Sequence, residues 1–515
     1  MYAASSEAEW EASHSNQVPV SPITINPNLP PQISAFILRC ISKQLAHRPA
    51  DWDAVVLESA RWFHDMTGQP VVFDFSADAL SLDELIKASY SLGMLGKHIE
   101  MLDVCDRAHA IDPNNGVAWA NKSYALHHLE RYEEALLACN QALALAPNYV
   151  NAWHFKGGAL QSLKRYEEAV TAFDQALALD PNDGVFWVGK GDALQSLKRY
   201  KEAVTAFDQA LAIDPSNLAA WVNKGNALYS LNRCEDALYA YDKALAIDPS
   251  NVAVWMNKGI ALENRRCYEE AISAYDRLLD LDPNYVAAWY NKGNMLHDLK
   301  RHDEAISAYD LALALAPSYV AAWINKGNAL KKLSHYVEAV TAYDRALALD
   351  PNHLDVWINK GNALLSLTHY EEAISAYDRA LALAPSDVDV WYNKGCALLR
   401  TTRYEEAVTA FDQALALDPN DGAFWVGKGD ALQSLKRYAE AITAYDRAIA
   451  LDPNYVSART NKDIAQRNLN QQKETTNKID GAKLNNENAQ TTGNQSKNSI
   501  SAQRPKTIWS RLWGK

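Results

Sequence analysis

The chain has 515 residues, 48% hydrophobic and 22% charged, so it can bury a large core and does not have the composition of a disordered protein. Its net charge of −13 is uneven: from Asn470 onward eight Lys/Arg face three Asp/Glu, a balance of +5, which leaves residues 1–469 at −18. Phosphate neutralisation needs a basic face, so an acidic body argues against nucleic-acid binding. Residues 1–32 are rich in Ser, Asn and Pro and are expected to be a flexible segment without the apolar run of a signal peptide. Residues 33–81 read as a helical N-terminal region, either a cap or a docking element. Amphipathic helices are predicted over 33–47 and 51–66, the second with Asp51 as N-cap, and 69–75 reads as extended.

From Leu82 to Tyr455 the sequence repeats every 34 residues, giving eleven units. The first, 82–115, is degenerate, with Leu85 where the others carry Trp. Ten regular units follow, with Trp at 119, 153, 187, 221, 255, 289, 323, 357, 391 and 425. With Trp as position 4, position 8 is Gly except Ser123, position 11 is Leu, position 20 is Ala, and position 24 is Phe or Tyr except Cys139. Position 27 is Ala except Leu278, and position 32 is Pro. At about 100° per residue, positions 4, 8, 11 and 15 share one helix face. Positions 17, 20, 24, 27 and 28 make a second stripe. Pro at 32 ends that helix, and the Asn or Ser at 33 is expected to cap the next.

These six positions, recurring in register, resemble the tetratricopeptide repeat family, in the style WxNKGNALxxLxxYEEAxxAYDxALALDPN of bacterial, especially cyanobacterial, proteins. The resemblance implies an all-α, right-handed superhelical solenoid of helix–turn–helix units whose first helices line a concave groove. It also implies a function in protein–protein interaction, as a scaffold or adaptor. Units 167–200 and 405–438 differ only at Val185 against Ala423, which reads as internal duplication.

After the repeats, 456–472 continues the first-helix register with Arg459 for Trp and is expected to be a solvated capping helix. The low-complexity remainder, 473–515, is expected to be a disordered tail. Its end carries Arg504, Lys506, Trp509, Arg511 and Trp513, which reads as a contact for an anionic membrane surface, a linear motif for a partner or an inert tail.

Catalytic patterns are missing. GVFWVGKG at 184–191 and GAFWVGKG at 422–429 approach a phosphate loop, but Gly191 and Gly429 stand where a hydroxyl is needed and both fall inside a predicted helix. Six Cys lack any CxxC pair, and the His are scattered, so no metal and no cofactor is expected. The expectation is a non-enzymatic, cytoplasmic chain without a membrane-spanning run, either acting alone or as the non-catalytic subunit of an enzyme complex. The sequence leaves its oligomeric state open.

Opposite the first-helix core stripe lie positions 2, 6, 9 and 13. Position 6 supplies Asn121, Asn223, Asn257, Asn291, Asn325, Asn359 and Asn393, and position 9 supplies Asn226, Asn294, Asn328 and Asn362. Beside them stands an apolar row at position 5: Val222, Met256, Tyr290, Ile324, Ile358 and Tyr392. Amides offer both donors and acceptors, so such a ladder suits the backbone of an extended peptide. The family resemblance implies the same role for Asn here. The family's clamp for C-terminal carboxylates needs Lys or Arg on this face, and positions 2 and 6 of the regular units have none. Position 7 is Lys throughout the regular units and position 25 is Asp except Asn140, so these rows are expected to neutralise each other.

Overall fold

The computed structural model describes residues 80–498, with side chains to residue 479. Among the described residues there are 23 helices and no strand. The chain divides into two compact units, 1–266 and 267–515, and the division falls in the turn between the two helices of one repeat. Within each unit, helices pack in sequence order, each against the next.

The first regular repeat shows the plan, with helices Gly116–His128 and Tyr132–Leu145 at positions 1–13 and 17–30. The stripe predicted to include position 15 stops short of it. Position 15 sits in the left-handed region in all ten regular repeats, φ 59° to 63°, although none is glycine there. The degenerate repeat does use a glycine, Gly96, at φ 69°. The turn is a Schellman motif: the Arg131 N–H donates to the Leu126 carbonyl at 2.9 Å and the Glu130 N–H to the His127 carbonyl at 3.0 Å.

The helix start also lies one residue beyond the expected cap. In repeat 218–251 the N-cap is Asn217, at position 34, whose side chain accepts from the Ala220 N–H at 2.9 Å. The position-33 residue, Ser216, instead donates its N–H to Asp214 at 2.9 Å. An Asp two residues before the amide closes its own local turn, which shifts the helix start along.

The core depends on one close approach per repeat. An added Cβ at position 8 would lie 2.4 to 2.8 Å from the position-24 ring in the same repeat, as at Gly225 against Tyr241 and Gly395 against Phe411. The two exceptions in the sequence explain each other. Ser123 faces Cys139, as Ser89 faces Cys105 in the degenerate repeat: without a ring, there is room for a hydroxymethyl group. Burial pushes the Cys105 thiol up to about 12 and the Cys139 thiol up to about 11, so both are inert packing groups.

Lysine and tryptophan tie successive repeats. Lys224 Nζ lies 2.6 Å from Asp208 of the preceding repeat and 5.0 Å from the Trp221 ring centre. The Trp221 indole N–H donates to the Pro215 carbonyl at 2.9 Å. Lys156 follows the repeat with Asn140 and keeps its tryptophan, Trp153, at 5.1 Å.

The last helix runs Val456–Asn498, well beyond the predicted end at 472 and through much of the segment expected to be disordered. Ala458 and Ala465 are buried against the array, whereas residues 471–479 are exposed. The extension has no Pro to interrupt a helix, but it is rich in Asn and Thr, so its local propensity is weak.

Candidate peptide-binding groove

Within each unit, first helices of neighbouring repeats touch one another directly, which places them on the inner side of each stack. Positions 2, 6, 9 and 13 share a surface there. One cavity of about 240 Å³ is lined by Asn151 at position 2, Asn121 and Phe155 at 6, Tyr90 and Tyr124 at 9, and Met94 at 13.

The asparagine rows form a hydrogen-bonded network, not two rows of free amides. In repeat 286–319 the Tyr309 hydroxyl donates to Asn294 Oδ1 at 2.8 Å, and Asn325 of the next repeat donates to the same oxygen at 2.9 Å. The same three-residue link joins Tyr241, Asn226 and Asn257, then Tyr343, Asn328 and Asn359, then Tyr377, Asn362 and Asn393. The position-9 oxygen therefore accepts twice, and the position-6 amide spends one N–H on the preceding repeat. In two of the three repeats whose ring lacks the hydroxyl, the set changes together: Phe173 goes with Gly158 and Gly189, and Phe411 with Cys396 and Gly427, while Phe207 goes with Asp192 and Asn223. Asn121 is buried and donates to Ser89 at 2.8 Å.

The network also orients what remains. Each position-6 Asn keeps its carbonyl and a second N–H, and each position-9 Asn its NH₂ group. Two are further engaged: Asn359 Oδ1 accepts from Lys331 at 2.6 Å, and the Asn325 NH₂ also donates to the Tyr290 hydroxyl at 3.1 Å. The position-5 row is half-buried and shared with the core. Val222, Ile324, Ile358 and Tyr392 pack against it, and Tyr290 packs on Tyr309 and Tyr319. Met256 and Asn291 are half-buried as well.

Sequence reasoning missed the two described cavities, both in the N-terminal repeats. The second, about 170 Å³, shares Tyr124 and Phe155 with the first and adds His127, His128, His154 and Gly158. The signal was aromatic residues at positions 6 and 9, where later repeats carry Asn. Burial holds His127, His128 and His154 below the usual imidazole range, so they are neutral apolar walls near pH 7.

The near-match to a phosphate loop lies inside helix Gly184–Ser196, with Lys190 held 2.6 Å from Asp174. Among the described residues no group of three His, Cys, Asp or Glu side chains is placed to hold a metal. No described helix is long and apolar enough to cross a membrane. Arg504, Lys506, Trp509, Arg511 and Trp513, and the helices predicted over 33–66, lie outside the described residues.

The chain matches a family model described as the tetratricopeptide repeat, over residues 131–184, 156–217, 188–252, 256–320, 324–388 and 392–456. The chain belongs to the tetratricopeptide repeat family. Proteins built from such repeats are protein-interaction scaffolds and are typically non-catalytic. Among solved structures the chain is similar to YrrB, described as a tetratricopeptide repeat protein with an unusual peptide-binding site. The identity there is 24% over 36% of this chain and 95% of that one, with a TM-score of 0.33. It is also similar to yeast Tom70, at 15% identity over 76% and 96% of the two chains and a TM-score of 0.30. A third is Cut9–Hcn1 of the APC/C, at 16% over 86% and 98% with a TM-score of 0.32. A search of curated proteins found no match.

Proposed function

We propose that the inner face of the first helices holds an extended peptide segment of a partner protein, and that the chain serves as a scaffold or adaptor and not as an enzyme. The observation that carries this reading is the oriented amide network. Each Tyr–Asn–Asn link fixes its amides in place before any ligand arrives, and leaves donors and acceptors for a peptide backbone. Preorganisation of this kind lowers the ordering cost of binding. Position 2 is alanine from Ala219 to Ala321, with Ala219 and Ala253 exposed, so a backbone has room to approach there.

The test must block the face without breaking the network, because Asn→Ala at position 6 also removes an inter-repeat hydrogen bond. Ala219→Trp with Ala253→Trp adds bulk at exposed positions that take no part in it. Peptides selected from a random library on the full chain are expected to lose binding to this variant, with circular dichroism unchanged. Selected peptides that bind both proteins equally would refute the reading.

A further inference from the structure

The repeat 184–217 lacks one donor of the network, and the lack falls on a charge. Asp192 stands at position 9, and Asn223 of the next repeat donates to its Oδ1 at 2.7 Å. Position 24 is Phe207, which has no hydroxyl to offer. Repeat 422–455, whose first helix differs from this one only at Ala423 for Val185, provides the comparison. There Asp430 stands at position 9, Asn461 donates to it at 2.9 Å, and Tyr445 adds the second bond at 2.7 Å.

Of the two glycines nearest Asp192 in register, only one leaves room. Over Gly189, one turn earlier, the space is filled: an added Cβ would strike the Phe173 ring at 2.6 Å, and the Gln161 side-chain N–H donates to the Gly189 carbonyl at 3.0 Å. Gly158 holds position 9 of the preceding repeat, where an added Cβ would meet only the His127 ring, at 3.8 Å. Charge is unbalanced as well. In first helices between 150 and 264, positions 2, 5, 6, 9, 12 and 13 contain Asp192 and Glu263 and no Lys or Arg. The lysines of these helices stand at position 7; of them Lys190, Lys224 and Lys258 are held by the aspartates of the preceding repeat. Burial pushes the Asp192 carboxyl up to about 6, offset only by Asn223, so it is ionised near neutral pH without a cation beside it.

We infer that Asp192 receives a Lys or Arg side chain of the bound peptide, entering over Gly158. The inference rests on the peptide-groove reading and narrows it to an extended segment with a basic residue in fixed register. Asp430 is the internal contrast, because its tyrosine already fills the place the ligand cation takes at Asp192.

The experiment selects peptides from a random library on the full chain and measures the affinity of one selected peptide beside its copy with norleucine for the basic residue. Wild type is expected to select Lys or Arg at one register position. Asp192→Asn is expected to weaken the basic peptide about tenfold, the scale of one charge-assisted hydrogen bond, and to leave the norleucine peptide unchanged. Phe207→Tyr supplies the missing hydroxyl and is expected to weaken the basic peptide while the charge stays. Asp430→Asn is expected to leave the preference intact. Selected peptides without a basic preference, or equal losses for both peptides in Asp192→Asn, would overturn the role of Asp192 alone. A library that yields no binding peptide would overturn the groove reading and this inference together.

Discussion

Two adjacent glycines in one helix should respond differently to alanine, one gaining stability and the other not. Gly157 and Gly158 both lie inside helix Val150–Ser162, so each gains the same helix propensity on substitution, about 1 kcal/mol. Their surroundings differ. A Cβ at Gly157 would lie 2.7 Å from Phe173 Cζ, well inside the 3.4 Å at which ordinary contact begins. The ring would have to retreat by about 0.7 Å, but Gly189 closes its other side, where the site of an added Cβ is 2.6 Å from the same ring. Overpacking of this kind costs about 1–3 kcal/mol. A Cβ at Gly158 meets only the His127 ring, at 3.8 Å. Gly158→Ala should therefore stabilise by about 1 kcal/mol, while Gly157→Ala should be neutral or lose up to about 2 kcal/mol. The difference between them is the packing cost alone. Urea unfolding followed by circular dichroism, with amide exchange in 150–183 to localise the effect in a repeat array, measures both. Equal shifts of the same sign would refute the argument that the ring sets the glycine at position 8.

Two further outcomes follow from local geometry. Lys198 holds φ 60°, a region that costs a side-chain-bearing residue about 1 kcal/mol, so Lys198→Gly should raise the urea midpoint despite the added chain entropy of glycine. The Asp192 carboxyl is raised from its ordinary value near 3.8 to about 6 in the folded chain. Between those values the folded state holds more protons than the unfolded one, so this group makes stability fall as pH rises through the window. Asp192→Asn should flatten that slope in pH-dependent urea unfolding, and an unchanged slope would show that burial does not raise the group.

The inner-face network shows how much could be read in advance and where reading stopped. Asn at positions 6 and 9 was legible as a polar row opposite the core, and helical period alone placed it there. Its partners were not legible. Asn325 and Asn294 are 31 residues apart and Tyr309 and Asn294 are 15 apart, so their meeting depends on how the two helices of a repeat pack and how one repeat stacks on the next. The tyrosine at position 24 was counted simply as an apolar ring, although its hydroxyl reaches the inner face. The Lys and Asp rows were paired correctly because each recurs at every repeat and opposite charges in fixed register have few alternatives. Positions 15 and 33 were misplaced by a residue or a turn, since a Schellman turn with a non-glycine and an Asp-closed turn both override the usual signals for helix ends.

The period, the two helices per repeat and the small residues at close approaches follow from the sequence alone. Each repeat obeys local rules that the next repeats again, and a one-dimensional stack needs little else. Tertiary structure decided the rest: which ring faces which glycine, which amide is already engaged, and which carboxylate is left one donor short. Those outcomes turn on contacts of a few ångströms that only the packing of helices within and between repeats brings about, and at such distances a single hydroxyl separates Asp430 from Asp192.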